Sequence, residues 1–168
     1  DSANWNSGAR DQFLIGRNTY GMRGLIAFDL TSIPVTATVT SAAFDLWIAA
    51  TGSGTVNDFA LRPLLKDFVE GTGNSSTSAA VGTGTGADWN SRTGPTTANL
   101  WGALGGESGT DFSTTVIGNL AGFDAAASAS VGTKLGFTLV PAFITETNAA
   151  ISSARPLRFM LTMSGDTL

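Results

Sequence analysis

The 168-residue sequence predicts an all-β fold, namely a two-sheet antiparallel β-sandwich of the jelly-roll type. Three observations lead to this prediction. Apolar and polar residues alternate with a period of two in several short stretches, turn-forming Gly, Pro and Asn residues separate these stretches, and no segment carries a convincing amphipathic helical pattern. Two sheets packed face to face would bury the apolar sides of such strands and leave Thr, Ser and Asp in water.

The first part of the chain contains three predicted strands, each defined by alternating apolar residues. These residues are Ile26, Phe28 and Leu30 in the first strand, Phe44, Leu46 and Ile48 in the second, which lies within Thr38–Ile48, and Phe59 and Leu61 in the third. Because Pro34 ends the first element and sets the entry to the second, we expect these two strands to form a hairpin-like pair. The third strand lies within Val56–Leu64, and Pro63 either confines it to a sheet edge or marks its end.

The second part of the chain contains the two clearest strands. Every second residue is large and apolar in Leu135–Leu139 and in Leu157–Met163. Weaker alternation indicates further strands at Phe13–Ile15 and Phe112–Ile117. The stretch Ala125–Ser130 is compatible with either a small-residue strand or one helical turn.

A long loop at about Gly71–Gly109 is predicted within a single domain that spans residues 1–168. It is rich in Gly, Ser and Thr, and it is far longer than the usual connection of about 4 to 6 residues. Loops of this size are commonly either functional or disordered. Trp89 and Trp101 lie in this loop and argue against full disorder.

The composition excludes several classes of enzyme. The chain has no Cys and no His, which removes the usual zinc ligands, the Cys nucleophile and the imidazole base of most catalytic triads. Two carboxylate pairs can be brought close in the fold, Asp67 with Glu70 and Asp88 with Asp111, but neither has a spacing specific to a glycoside hydrolase. We therefore predict that the protein is not an enzyme.

Charge and hydropathy limit the partners and the location. The net charge is −4, and the nine Lys and Arg residues form no basic run that would grip a phosphate backbone, so we predict no nucleic-acid partner. No apolar run approaches the roughly 20 residues that a membrane-spanning helix needs. Abundant Thr, Ser, Gly and Ala beside two Lys, with a start at Asp1, fit a mature secreted or cell-surface protein, although a trimmed chain would begin in the same way.

One segment carries a resemblance to a known family. Residues 22–34 read MRGLIAFDLTSIP and lead into ATVTSA at 37–42, and together they resemble the DNRLRE domains, whose hallmark is a similar strand, turn and Ala-Thr-Val-Thr-Ser-Ala run. Residues 88–92 and 155–157 resemble two later family segments. The resemblance implies an extracellular β-jelly-roll of microbial secreted and surface proteins, overlapping a family of carbohydrate-binding modules. The family usually has one more strand before the position of Asp1, and Trp at the position of Phe68.

The candidate ligand-binding residues are Trp89, Arg92 and Trp101, all in the long loop. Sugar rings present apolar C–H faces that stack on indole, and the carboxylate of a uronic acid can be held by a planar guanidinium. The alternative is that each Trp anchors the Gly-rich loop to the sandwich and that Arg92 pairs with a nearby carboxylate. Both interpretations remain open at the level of sequence.

Three further Arg residues allow a similar pair of interpretations. Arg17 and Arg23 flank the predicted Gly16–Gly21 turn, and Arg62 lies opposite the apolar side of its strand. The three are therefore predicted to lie on one sheet face, where they form either a basic strip for a ligand or a solvated surface.

Calcium (Ca²⁺) is the one cofactor that the composition permits, because it takes oxygen ligands from Asp, Asn and backbone carbonyls in flexible loops. The candidate ligands are Asp88, Asn90, Glu107 and Asp111. They lack the spacing of an EF-hand, and the alternative use of a loop Asp is to cap a turn.

Two functions from different classes follow. The first is a non-catalytic extracellular module that binds polysaccharide at a cell surface or matrix. The second is a structural subunit of an extracellular filament, surface layer or biofilm matrix, whose partners are copies of itself joined by strand or edge pairing. The family's usual leading strand motivates the second, because a sandwich without that strand has an unpaired edge that a neighbour's strand can join.

Overall fold

The computed structural model describes residues 8–9, 11–12, 15–17, 21–49, 57–73, 86–94, 99–123 and 131–163. The elements in these ranges are β1 (Gly16–Arg17), β2 (Gly21–Met22), β3 (Gly24–Phe28), β4 (Asp45–Trp47), β5 (Asn57–Pro63), β6 (Gly118–Phe123), β7 (Lys134–Gly136), β8 (Thr138–Leu139), α1 (Pro141–Ser152) and β9 (Leu157–Met163). The predicted Ala125–Ser130 element and the first two residues of the predicted Phe13–Ile15 strand lie outside the described residues.

The largest sheet is antiparallel and has five strands in the order β3-β9-β5-β6-β8. Strand β9, one of the two with the clearest alternation in the sequence, lies inside this sheet between β3 and β5. In β9, Leu157, Phe159, Leu161 and Met163 are all buried on one side of the sheet, as predicted. The predicted Val56–Leu64 strand is also confirmed as β5, and Pro63 marks its end rather than a sheet edge, because β5 pairs with both β6 and β9.

A two-stranded antiparallel sheet, β4 with β7, forms part of a second layer. The predicted alternation is confirmed here, since Phe44 and Ile48 are buried whereas Trp47 is exposed. The predicted hairpin-like pair of the first two strands is wrong, because β3 pairs with β9 and β4 pairs with β7. The alternation of apolar residues in β3 and β4 does not reveal which strands are neighbours, because the same core can bury the apolar side of either strand in several pairings.

The predicted Leu135–Leu139 strand is divided between the two sheets. Leu135 pairs with Leu46 in the small sheet, and the Phe137 N–H donates to the Phe44 carbonyl at 3.0 Å. The next two residues form β8 and pair with β6 of the five-stranded sheet. The chain therefore crosses between the layers at Phe137, while its large side chains continue to face the same core.

Strand β6 begins at Gly118, so the predicted Phe112–Ile117 strand is wrong. Residues 112–117 are irregular, although the Ile117 N–H donates to the Leu61 carbonyl at 2.9 Å just before β6 begins. The sequence GNLAGF of β6 has two glycines and little apolar alternation. Pairing with neighbouring strands on both sides overrides this weak local preference.

Helix α1 is the main element that the sequence pattern missed, and it corrects the expectation of an all-β chain. Pro141 begins the helix, at the position where Pro is favoured, and Phe143, Thr147, Ala150 and Ile151 are its buried residues. These positions have helical spacing, but one is polar and one is small, which makes the apolar stripe weak. The 12-residue helix is too short to cross a membrane, and no described helix is long and apolar enough to do so.

The main hydrophobic core lies between one side of the five-stranded sheet and a second layer of β4, β7 and α1. Its buried residues are Phe44, Phe59, Leu61, Ile117, Phe137, Phe143, Ala150, Leu157, Phe159, Leu161 and Met163. The Phe159 ring lies 6.3 Å from that of Phe28, 6.4 Å from that of Phe44 and 5.3 Å from that of Phe143. The result is a β-rich, layered architecture that is compatible with a β-sandwich, with a helix in part of the second layer.

Residues 37–44 lead into β4 and contain neither a turn nor a bend, so only the last part of the predicted Thr38–Ile48 strand is paired as a strand. Asn148 of α1 holds this segment in place. Its Oδ1 accepts a hydrogen bond from the Val39 N–H at 2.8 Å, and its Nδ2 donates to the Val39 carbonyl at 3.0 Å. One side-chain amide thus makes the two hydrogen bonds that a neighbouring strand would make.

We predict that Asn148→Ala lowers the free energy of unfolding by about 1 to 2 kcal/mol, because it leaves both polar groups of the Val39 backbone without their protein partner. Chemical denaturation measures this change. Thr145→Ala, an exposed change in the same helix, is the control and has a smaller effect. Equal effects of the two substitutions would contradict the role of Asn148.

Candidate functional site

Residues of the predicted long loop and its flanking segments pack on the outer side of the five-stranded sheet. Its buried cluster consists of Leu64, Ala87, Trp101, Phe112 and Met160. Met160 belongs to β9, and the other members come from residues 64–112. In the parts of Gly71–Gly109 that the structure describes, the chain forms only isolated bridges, which agrees with the predicted loop.

Trp101 is only 6 % exposed and packs in this outer cluster. Its indole N–H donates to the Asp88 carbonyl at 2.8 Å, which satisfies the ring's one polar group. The ring therefore offers no open face on which a sugar can stack, and Trp101 serves as an anchor of the loop. This was the alternative interpretation of its sequence position.

Trp89 is half-buried and contacts Arg23. The Arg23 guanidinium carbon lies 5.5 Å from the Trp89 ring centre and 5.4 Å from that of Phe112. Arg23 Nη1 also donates to the carbonyls of Gly105 at 2.8 Å and Gly106 at 2.9 Å. Arg23 thus joins β3 and its neighbours to the loop by cation–π contacts and by charge-assisted hydrogen bonds.

Gly105 lies directly against Trp89. A Cβ at Gly105 would come within 2.6 Å of the indole, and its φ of +78° favours glycine. The Gly105 N–H donates to the Trp89 carbonyl at 2.6 Å. This close approach explains why a loop rich in glycine can carry a large, ordered aromatic side chain.

Arg92 forms an ion pair with the carboxylate of Asp67. Its Nη1 also donates a hydrogen bond to the Asp67 backbone carbonyl at 3.0 Å. The Arg92 side chain is 14 % exposed and that of Asp67 is 70 % exposed. The guanidinium is therefore already engaged by a carboxylate of this chain, as the alternative interpretation expected. The structure does bring Arg92, Trp89 and Trp101 into one region, since the backbone N–H of Trp101 donates to the carbonyl of Asn90, which lies between the other two in the sequence, at 3.1 Å.

Arg23 and Arg62 were predicted to line a basic or solvated sheet face. In the structure, both side chains donate hydrogen bonds to backbone carbonyls. Arg62 donates to the carbonyls of Ser113 and Thr114, and burial lowers the pKa of its guanidinium. Arg23 makes the contacts given above. Both guanidinium groups hold loops on the sheet, while the Arg17 side chain lies outside the described part of the structure.

The candidate calcium ligands include two buried carboxylates. Asp88 Oδ1 accepts from the Asn90 and Ser91 N–H groups, both at 2.7 Å. Asp111 Oδ2 accepts from the Gly102 N–H at 2.7 Å and the Glu107 N–H at 2.8 Å. Among the described residues no three Asp or Glu side chains are grouped so as to hold a metal ion. The observed contacts are turn caps, and calcium binding stays a prediction from the sequence.

The sequence interpretation missed a second aromatic surface, which lies on the small sheet. Trp47 is 64 % exposed, more than any other described aromatic side chain. It pairs with Lys134 across β4 and β7, and Asp45 lies two residues earlier on the same side of β4. The only signal in the sequence was that Trp47 falls on the side of its strand that faces away from the apolar residues, where a polar residue is usual.

An open cleft of about 420 Å³ runs beside Trp47. Residues 43–47 and, from β3, Ile26 and Phe28 line it. Because consecutive residues of a strand point to opposite sides, a cleft lined by all of 43–47 lies along the edge of β4. Phe28 is 42 % exposed, so the cleft presents two accessible aromatic side chains.

Comparisons with protein-family models, with curated proteins and with solved structures find no match to the chain. The resemblance to DNRLRE domains therefore stays a prediction from the sequence segments themselves. Evidence about function comes from the residues of this chain and their geometry.

We predict that Arg23→Lys lowers the free energy of unfolding by about 2 kcal/mol, because Lys keeps the charge but not the planar group that bonds two carbonyls beside two rings. Denaturation followed by Trp fluorescence measures this loss, and limited proteolysis reports faster cleavage within residues 99–112.

Arg158→Lys is the matched control, since Arg158 lies on the same side of β9 as Met160 and its side chain has no partner among the described residues. If both variants unfold at the same denaturant concentration as the unmodified protein, Arg23 does not hold the loop.

Proposed function

We propose that this protein is a non-catalytic extracellular β-sandwich module of the jelly-roll type that binds polysaccharide at a cell surface or matrix. The observation that carries the proposal is Trp47, which is 64 % exposed on a strand whose opposite side is buried in the core. The site lies on the small sheet and replaces Trp101 of the long loop as the stacking surface.

The exposed indole of Trp47 presents an apolar face that a ligand can cover. A large apolar ring in water is unfavourable, whereas the C–H face of a pyranose or furanose ring covers it without removing sugar hydroxyls from solvent. Trp47 is held by a strand whose neighbours Phe44 and Ile48 are buried, so its backbone is fixed before a ligand arrives. A fixed platform loses little conformational freedom on binding.

The cleft extends this platform. Phe28 and Trp47 both line the cleft, which is open to solvent. An extended chain of sugars suits such a shape better than a compact small molecule, which needs an enclosed pocket. The resemblance to DNRLRE domains, with their overlap with carbohydrate-binding modules, points to the same class of ligand.

The proposal includes no catalytic step. The chain has no His and no Cys, and several of its carboxylates are already bound by their own chain. Asp67 pairs with Arg92, Asp45 pairs with Lys134, and Asp88 and Asp111 accept backbone hydrogen bonds. None of these carboxylates forms the opposed acid and base pair that glycoside hydrolysis uses.

We predict that Trp47→Ala weakens polysaccharide binding about five-fold or more, the loss expected from removing about 1 kcal/mol of ring stacking. Affinity electrophoresis against a panel of soluble polysaccharides, followed by calorimetric titration with those that bind, measures the change. Leu104→Ala is the control, because Leu104 is similarly exposed but lies in the long loop.

Two outcomes would contradict the assignment of the binding site to Trp47. The first is binding that Trp47→Ala leaves unchanged while Trp89→Ala abolishes it, which would return the site to the long loop. The second is a failure of the unmodified protein to bind any polysaccharide in the panel.

A structural subunit is the second candidate, and a different observation favours it. Residues 37–44 have the β-prone sequence ATVTSAAF, and all but Val39 and Phe44 are exposed. The chain carries no charge between Asp29 and Asp45. Soluble proteins usually protect an exposed strand edge with Lys or another charged residue, or with Pro. Residues 37–44 contain no charged residue and no Pro.

Such a segment favours pairing between copies of the chain. Two copies related by a two-fold axis can align residues 38–42 in antiparallel fashion, with Thr40 opposite Thr40 of the second copy and without bringing like charges together. Thr and Val, which dominate the centre of the segment, are strong strand formers. The resulting contact would be an edge-to-edge β-pair that closes a dimer, and a filament or matrix would need a second contact to extend from such dimers.

We predict that, if edge pairing occurs, Thr40→Lys shifts the protein towards the monomer, because a two-fold pair would bring two ammonium groups together. Light scattering over a concentration series measures the mass, and electron microscopy detects polymers. Thr115→Lys places the same charge at another exposed Thr and serves as the control. A protein that is monomeric at every concentration, with or without the substitution, would exclude this second function.

A further inference from the structure

We propose that the Asp45–Lys134 ion pair beside Trp47 makes the site select uncharged polysaccharides over acidic ones. This inference rests on the proposed polysaccharide-binding function and names its substrate class. It differs from the sequence-based hypothesis, in which Arg92 holds the carboxylate of a uronic acid.

The register of β4 and β7 brings the three side chains together. Trp47 lies opposite Lys134, and Asp45 lies opposite Gly136. Residues that face each other across an antiparallel pair share one side of the sheet, as do residues two apart on a strand. The indole, the carboxylate and the ammonium group therefore share the outward side, while Leu46 and Leu135 pack against the main core.

The polar atoms of this surface remain accessible. Lys134 Nζ lies 3.1 Å from Asp45 Oδ2, and the two side chains are 58 % and 25 % exposed. Gly136 leaves the space beside Asp45 open, because a Cβ at that position would lie 3.3 Å from Oδ1. Lys134 bonds Asp45 through Oδ2, while Oδ1 lies beside the space that Gly136 leaves open.

Neighbouring sugar hydroxyls match this arrangement. One hydroxyl can donate to Asp45 Oδ1 while the next accepts from Lys134 Nζ, which has three N–H groups and uses one for Oδ2. Both contacts involve a charged protein group and are stronger than neutral hydrogen bonds. The sugar ring between these hydroxyls and Trp47 then stacks on the indole.

An acidic sugar fits the same surface poorly. Lys134 is neutralised by Asp45, so the surface has no unpaired cation to hold a carboxylate or sulfate. Asp45 repels an anion placed within hydrogen-bond distance, and the whole chain carries a net charge of −4. The carboxylate therefore acts both as a hydroxyl acceptor and as the group that rejects polyanions.

The test compares mannan, galactan and mixed-linkage β-glucan with alginate and polygalacturonate, using the full chain in calorimetric titration at low salt. We expect the unmodified protein to bind at least one uncharged polymer at least five-fold more tightly than either acidic polymer, since one charge-assisted contact is worth about that much. Asp45→Asn removes the negative charge and releases Lys134, so we expect affinity for the acidic polymers to rise and the preference to shrink.

Lys134→Gln supplies the second variant, in which the negative charge of Asp45 is left unpaired. We expect this variant to bind uncharged polymers more weakly than the unmodified protein does, and to bind acidic polymers no more tightly. Circular dichroism confirms that each variant is folded. A preference of the unmodified protein for acidic polymers, or selectivity that neither variant changes, would overturn the inference while leaving a Trp47-dependent polysaccharide site intact. Loss of the proposed function itself has a different signature, namely binding that does not depend on Trp47 or no binding at all.

Discussion

The packing of the Phe159 ring is the interaction on which the two layers depend. Phe159 is fully buried in β9, the strand that pairs with β3 on one side and β5 on the other. Its ring lies close to that of Phe44, the residue just before β4, and to that of Phe143 in α1, so it contacts two parts of the second layer. On the other side of the same strand, Met160 packs beneath the loop cluster. Consecutive residues of β9 thus fix the layers on both sides of the sheet.

How much of this arrangement the sequence predicts depends on the range of the interactions. Strands β5 and β9 were predictable because alternation is a local pattern and both strands are central. The partners of β3 and β4 were not, because an apolar strand side fits any neighbour that completes the core. Helix α1 was missed because Thr147 and Ala150 occupy half of its buried positions and weaken the apolar stripe, although Pro141 was a usable start signal.

The candidate site shows the same division. Residue type identified Trp89, Arg92 and Trp101 as groups able to bind a sugar, but the same chemistry also anchors loops. Only the contacts with Arg23, Asp67 and the Asp88 carbonyl distinguish these uses. Trp47 was overlooked because it lies in an ordinary strand pattern, and its relation to Lys134 depends on a strand pairing that joins residues far apart in the sequence.

The crossing at Phe137 has a mechanical consequence. A single residue separates β7, which carries Lys134, from β8, which is bonded into the five-stranded sheet. With so short a connection, the chain has little slack at Phe137 that would let the small sheet slide away from the large one. A pull applied to the outward side of β4 and β7 is therefore carried by the backbone and by the Phe137–Phe44 hydrogen bond directly into the largest sheet. The surface around Trp47 is therefore coupled through one residue to the largest sheet of the described structure.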